Sequence, residues 1–367
     1  GWQSLPRIPA PDFETFALGR RPFILPVEAV QSFGWRNERW SELSYFENHP
    51  QVLAMERLFD TQTFRPIALR CGFRAGADKS GMSCPMTPKE ALSTLRRRSE
   101  LGPLADDGLA MYIGAWEYDA DDWTAGGGDW SAGLSADLKP GVPFAKCMLK
   151  EELGEHHELP RSMRWIYIGE PGSGTCAHCD PLCSHGWMWL AAGRKDWRLV
   201  HFEAASHTQR CEAVPEGAPE DLFSNGSCNN LVSGLRIGVL GFGCDSPCLA
   251  EIRRAQWLQS LGASHEAWFG TLLPGELIFV PAGVLHAVQN IGPGVSIAVS
   301  QNFMDASCAE DVLRCLEQTL QMLQDLQARP RCLGALGAAP GTASAALGAG
   351  GRGLLRWRRV WFGFRSQ

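Results

Sequence analysis

From Arg164 onward the chain is built of short apolar runs closed by Gly and Pro: RWIYIGEP, GWMWLAAGRKDWRLV, GELIFVPAG, HAVQNIGPG and VSIAVSQNF. Runs of this length, bounded by turn formers, predict closely spaced antiparallel strands, as in a double-sheet jelly roll. The stretch from about Phe13 to Asp119 is mixed. RPFILPV predicts a short strand, while PQVLAMERLF and MTPKEALSTLRRRSEL carry helical spacing, with Ala91, Leu92 and Leu95 recurring in the second. LAMYIGAWEYD predicts a strand and an aromatic turn, and WTAGGGDWSAGLSADLKPG is so rich in Gly that it predicts loop throughout. Between the strands, LRIGVLGFGCDSPCLAEIRRAQWLQSLG predicts a strand, a glycine turn and a helix.

Toward the end, Ser307 and Glu310 have the spacing of a capping box. The helix it opens repeats Leu313, Leu316, Leu320, Leu323 and Leu326 at three and four until Pro330. That stripe, over 307–328, fits two roles: covering the core, or pairing with a second copy in a homodimer. Past Cys332 the chain is Ala/Gly-rich to Gly351 and then basic and aromatic in RGLLRWRRVWFGFR, a tail expected to be disordered. The predicted organisation is an extension over 1–12, an N-terminal α/β part over 13–140, a β core over 141–305, a helix over 306–330 and a tail over 331–367.

Composition narrows this picture. Hydrophobic residues make up 45% and charged residues 20% of 367, with 14 Trp and 17 Phe, which excludes disorder for most of the chain. A net charge of −6 provides no general basic surface for nucleic acid. No apolar run reaches the roughly 18 residues of a membrane helix, and no leader pattern opens the sequence. Thirteen cysteines, odd in number and without framework spacing, predict reduced thiols and a nuclear or cytoplasmic compartment.

The densest chemistry lies in CAHCDPLCSH, Cys176 to His185. One reading is zinc, held by Cys176, Cys179 and Cys183 with His178 or His185, although no second ligand pair follows at the usual distance. The flanking strand pattern favours another. Side chains alternate along a strand, so His178 and Asp180 would share a face and Cys179 would point away. A His-x-Asp pair supplies two adjacent ligands, and a third from a distant strand completes the facial triad of non-haem Fe(II) oxygenases. His286, in PGELIFVPAGVLHAVQNIG, is the candidate third ligand. A satisfied core histidine at 286 and a turn-capping Asp180 remain the structural alternative.

The motifs WIYIGEPGSGT-x-x-H-x-DP, GRK-x-W, PGELIFVPAGVLH-x-V-x-N and SIAVSQNF occur in the order in which they resemble the Jumonji C (JmjC) oxygenases. GWRNERW, MTPKEAL and MYIGAWEYD resemble the segment that precedes the barrel in that family, so the resemblance spans about Phe13 to Leu326. It implies a mainly β fold with some α: a double-stranded β-helix (cupin or jelly-roll) core, an N-terminal α/β segment and a C-terminal helix. It also implies Fe(II) on His178, Asp180 and His286, and 2-oxoglutarate as cosubstrate. Lys195, fifteen residues after Asp180, matches the lysine that pairs with the far carboxylate, and Thr175 and Ser300 match the hydroxyl positions beside it. Met188 stands where close relatives often place Asn.

The implied reaction uses O2 to hydroxylate a protein side chain, with succinate and CO2 as co-products. A lysyl or arginyl hydroxylase is favoured because the carboxylate ligand is Asp and no chromatin-reading finger is attached. N-methyl demethylation by the same chemistry is the alternative, and a catalytically impaired cupin scaffold is another. GVLGFG, Gly238 to Gly243, has the spacing G-x-x-G-x-G rather than G-x-G-x-x-G and lacks a surrounding βαβ unit, which argues against a dinucleotide site.

Overall fold

A computed structural model describes residues 1–53, 59–64, 84–101, 110–116, 133–153, 163–178, 180–201, 231–232, 235–236 and 265–313. Two sheets dominate it. The first runs in the order β1 (Trp2–Ser4), β12 (Ala267–Leu272), β9 (Arg194–Val200), β14 (Leu285–Ile291) and β7 (Gly174–His178). The second runs β2 (Phe23–Leu25), β13 (Leu277–Val280), β8 (His185–Ala192), β15 (Ser296–Phe303), β6 (Arg164–Gly169), β5 (Ala110–Trp116), β3 (Phe59–Phe64) and β4 (Cys84–Met86). Among the described residues, strands β10 (Leu231–Val232) and β11 (Leu235–Arg236) form a separate two-stranded ladder. Within the two sheets β1 pairs parallel to β12 and the other neighbours pair antiparallel. The strands expected from the apolar runs are therefore present.

The alternation along β8 explains the unbroken apolar run GWMWL. Met188 and Leu190 face the space between the sheets, where they join Ile278 and Ala298 of the second sheet and Trp197, Leu199 and Val288 of the first. Trp187 and Trp189 face the other way, into a core completed by Trp35, Trp40, Phe46, Leu92 and Leu95 from the N-terminal part. The second sheet is thus covered on both faces and needs apolar residues at consecutive positions. Burying a side chain of this size contributes about 1.5–3 kcal/mol, so this layer fixes the sheet that backs the site.

The N-terminal helices are short: α1 (Phe13–Leu18), α2 (Val27–Gln31), α3 (Leu43–Glu47) and α4 (Pro50–Leu53), followed by the longer α5 (Pro88–Leu101). A reciprocal cap opens α5, with Thr87 N–H donating to Glu90 Oε2 at 2.9 Å and Glu90 N–H donating to Thr87 Oγ1 at 3.3 Å. Helix α6 (Met148–Leu153) precedes β6. No helix among the described residues is long and apolar enough to cross a membrane.

Two expectations change, and a third gains added contacts. The end of the glycine-rich segment is a 3-10 turn, Leu134–Leu138, because Leu134, Ala136 and Leu138 are buried and Asp137 accepts from Trp40 Nε1 at 3.0 Å. Within PQVLAMERLF only Pro50–Leu53 is described as helix, and Phe59 already begins β3, where it pairs with Met86. Residues 309–313 are helical as expected, yet the Ser307 hydroxyl meets Asp305 Oδ1 at 2.7 Å and His185 Nε2 at 2.8 Å, so it ties the helix start to β8. The leucine stripe from Leu316, the GVLGFG segment and the tail over 331–367 lie outside the described residues.

Candidate active site

Strand β14 brings the first two candidates together. His286 is buried, and its Cα partner across the β14·β7 ladder is His178, with a break in register between His286 and Val288. Breaks of this kind bend a strand and re-aim side chains, and they recur beside functional sites. The His178 side chain lies outside the described residues. Strand β7 ends at His178, so Asp180 is not on the strand and the expected alternation stops short of it. Asp180 instead opens a tight turn: its carbonyl accepts from Cys183 N–H at 3.2 Å, and Leu182 and Cys183 take left-handed φ values of 60° and 50°. Such conformations cost on the order of 1–3 kcal/mol each at a non-glycine residue and cluster at functional sites.

That turn sets Asp180 Oδ1 3.7 Å from His286 Nε2. The distance is too long for a hydrogen bond. His286 Nδ1–H donates to the Val284 carbonyl at 3.0 Å, which leaves the Nε2 lone pair facing the carboxylate. Burial holds the imidazole pKa down to about 4, so the ring is neutral at physiological pH. A neutral nitrogen lone pair beside a carboxylate oxygen fits a divalent cation. Ligand bonds of about 2.0–2.2 Å allow two donors on one ion to lie up to about 4.2 Å apart, and the observed separation falls inside that bound. The Trp197 indole stacks on the His286 ring at 5.7 Å and 28°, fixing its plane.

Gly186, on β8, makes room for this carboxylate. A Cβ there would lie 2.4 Å from Asp180 Oδ2. Gly186→Ala is therefore expected to push Asp180 away from His286 and to weaken metal binding by about 10–100-fold, the usual effect of disturbing a ligand's support. Titration with Mn(II) or Fe(II) checks this, and the melting temperature should barely move because a carboxylate tip can shift without the backbone.

The far end of the same interior holds Lys195. It is 1% exposed and therefore not a surface lysine. Its Nζ donates to Asn290 Oδ1 at 2.7 Å and lies 5.9 Å from the centre of the Tyr112 ring. Burial alone lowers its pKa to about 7. Thr175 Oγ1 lies 3.3 Å from Tyr112 Oη, so it contacts the same tyrosine whose ring stands near the lysine. Ser300 is opposite Met188 in the β15·β8 register and shares the inward face of Ala298 by strand alternation. Met188 is buried against Leu190, Ile278 and Ala298, so the interior presents a thioether where an amide was the reference. A fully buried ammonium without a carboxylate partner among the described residues suits an anionic ligand.

Tyr112 and Asn290 were not anticipated as site residues. The motif MYIGAWEYD contained the first and HAVQN the second, but only the fold brings them to Lys195, Asn290 as its direct cross-strand partner and Tyr112 with its ring centre 5.9 Å from Nζ.

The cysteine-rich stretch divides. Cys176 and Cys179 lie outside the described side chains, and Cys183 is a half-buried thiol outside any disulfide. His185 approaches Asp305 and Cys308 closely enough to resemble a metal cluster. Ala282 N–H, however, donates to His185 Nδ1 at 2.9 Å, which puts the ring proton on Nε2, toward Ser307. A nitrogen that carries a proton has no lone pair for a metal, and burial pushes the Cys308 thiol up to about 12. This cluster is a structural clasp.

No family model matches the chain. Curated proteins do. The chain is 30% identical over 149 residues to the bifunctional arginine demethylase and lysyl-hydroxylase psr-1 of Caenorhabditis briggsae, covering 41% of this chain and 31% of that protein. It is 28% identical over 162 residues to the human 2-oxoglutarate and iron-dependent oxygenase JMJD4, covering 44% of this chain and 32% of that protein. It is 28% identical over 145 residues to the lysine-specific demethylase JMJ21 of Arabidopsis thaliana, covering 39% and 12%. Over this region the chain is similar to the JmjC-type oxygenases. The matched region spans no more than about a third of the length of these JmjC relatives.

Proposed function

We propose that this JmjC relative is an Fe(II)- and 2-oxoglutarate-dependent dioxygenase that hydroxylates a lysyl or arginyl side chain of a protein, on a double-stranded β-helix. The observation that carries the reading is the arrangement of one interior. A neutral His286 and Asp180 face each other at one end, with His178 opposite His286 in register, and a buried cation, Lys195, stands at the other. A dicarboxylate 2-oxo acid has matching ends: a chelating head and a distant anion.

His178, Asp180 and His286 would hold the iron. Bound iron supplies the redox chemistry that couples oxidation of 2-oxoglutarate to succinate and CO2 with hydroxylation of a substrate C–H bond. The protein binds and orients. Val284 holds His286 in the tautomer whose Nε2 lone pair faces Asp180, and Trp197 fixes its plane. Lys195 neutralises the far carboxylate, near the Tyr112 ring whose hydroxyl meets that of Thr175. Met188, Leu190, Val288 and Ala298 keep water from the space between, where every charge interaction is stronger for the lower dielectric.

A second reading, N-methyl demethylation, is favoured by relatives whose names carry both activities, as psr-1 does. Incubation with Fe(II), 2-oxoglutarate, O2 and peptides bearing lysine, arginine or their methylated forms tests both. Succinate formation with one added oxygen retained on the peptide supports hydroxylation. Formaldehyde release with loss of a methyl group replaces it with demethylation, and no succinate above the metal-free background removes both.

A further inference from the structure

Lys195 is held in place by an amide whose orientation the surrounding groups dictate. The Glu170 carbonyl can only accept, so Ser173 Oγ–H donates to it at 2.6 Å. The Ser173 oxygen is then an acceptor for Asn290 Nδ2, at 2.9 Å. With its NH2 committed there, Asn290 must turn Oδ1 to the other side, where Lys195 Nζ donates to it at 2.7 Å. Asn290 and Ser173 are both fully buried. The main chain clamps them as well: Asn290 N–H donates to the Ser173 carbonyl, and Gly172 N–H to the Asn290 carbonyl, each at 2.8 Å.

The relay fits because Gly169 has no side chain. A Cβ at that position would lie 2.5 Å from Ser173 Oγ and 2.6 Å from Asn290 Nδ2. An ammonium carries three donors, and among the described residues Asn290 is its one hydrogen-bond acceptor. The remaining donors are left for a ligand.

We propose that Asn290 is a positioning residue: through the Glu170–Ser173–Asn290 relay it holds the Lys195 ammonium where the far carboxylate of the cosubstrate lands, and so sets the preference for a dicarboxylate over a monocarboxylate 2-oxo acid. This rests on the assignment of Lys195 as the carboxylate partner. An aspartate at 290 has nearly the same shape but offers the ammonium an internal anion, which competes with the ligand's carboxylate. A ligand without that carboxylate feels no competition.

The test is calorimetric, on the full chain loaded with Mn(II), with 2-oxoglutarate and 2-oxobutanoate as the two ligands. Asn290→Asp is expected to weaken 2-oxoglutarate by at least about tenfold, as for a lost hydrogen bond to a charged group, and to leave 2-oxobutanoate within about twofold. Ser173→Ala, which frees the amide to flip while removing a single oxygen, is expected to shift the preference in the same direction by a smaller factor. Equal weakening of both ligands in both variants, or an unchanged preference in Asn290→Asp, overturns the proposal. Lys195→Ala separates the two levels. If it abolishes the preference while Asn290→Asp keeps it, the positioning role fails and the lysine assignment stands; if Lys195→Ala keeps the preference, the assignment itself fails.

Discussion

His286→Ala and Asp180→Ala are each expected to abolish 2-oxoglutarate turnover and stoichiometric Fe(II) binding, and His178→Ala to do the same. On the proposed assignment each removes one of three ligands, and the remaining pair would leave the ion held mainly by water. Asp180→Asn is the informative companion, because it keeps the shape against Gly186 and removes the charge that favours a divalent cation. Circular dichroism and melting temperature establish that the variants fold. Turnover retained in His286→Ala would move the third ligand elsewhere, and retained metal in all three would place the iron outside this interior.

Lys195→Ala is expected to raise the 2-oxoglutarate Kd at least about a hundredfold while Fe(II) binding stays within about twofold. A buried charge left without its partner typically costs about 3–5 kcal/mol, and each 1.4 kcal/mol is tenfold. An exposed lysine would contribute under about 1 kcal/mol, so 1% exposure is what separates the two outcomes. The pH dependence has a definite sign. Burial lowers the Lys195 pKa from 10.5 to about 7, and only the protonated form pairs with a carboxylate. Above about pH 7 the lysine must take up a proton to bind, so affinity should fall by up to about tenfold per pH unit, and Lys195→Ala should lose that slope. For the ligand-free protein the unfolded chain binds the extra proton between about pH 7 and 10.5. Stability from this group therefore rises with pH across that window and falls away toward pH 7.

The strands were legible because their residues are punctuated by glycine and proline at close intervals, and because apolar residues at consecutive positions match a sheet covered on both faces, as along β8. The approach of Asp180 to His286 was legible for a partly mistaken reason. Alternation along a strand pointed to Asp180, but β7 ends at His178 and a left-handed turn at Leu182 and Cys183 brings the carboxylate to His286. Local pattern cannot encode a turn whose strain is sustained by tertiary packing, here the burial of Leu182. His185 looked equally suited to a metal in sequence, and only the donor from Ala282, far along the chain, disqualifies it. Asn290 and Tyr112 were hidden for the same reason: a buried polar residue declares its role through its cross-strand neighbour. The 3-10 turn at Leu134–Leu138 was obscured by the glycines before it, although its buried Leu134, Ala136 and Leu138 were in plain view.

The most direct measurement is an anaerobic Fe(II) titration in the presence and absence of 2-oxoglutarate, followed in the visible region. A one-to-one chelate of metal and 2-oxo acid in this interior should produce a weak charge-transfer band that appears only with both components, saturates at one iron per chain, and is lost in His286→Ala. A chain that binds iron with no such band at saturating 2-oxoglutarate, or that keeps the band in His286→Ala, would contradict the assignment.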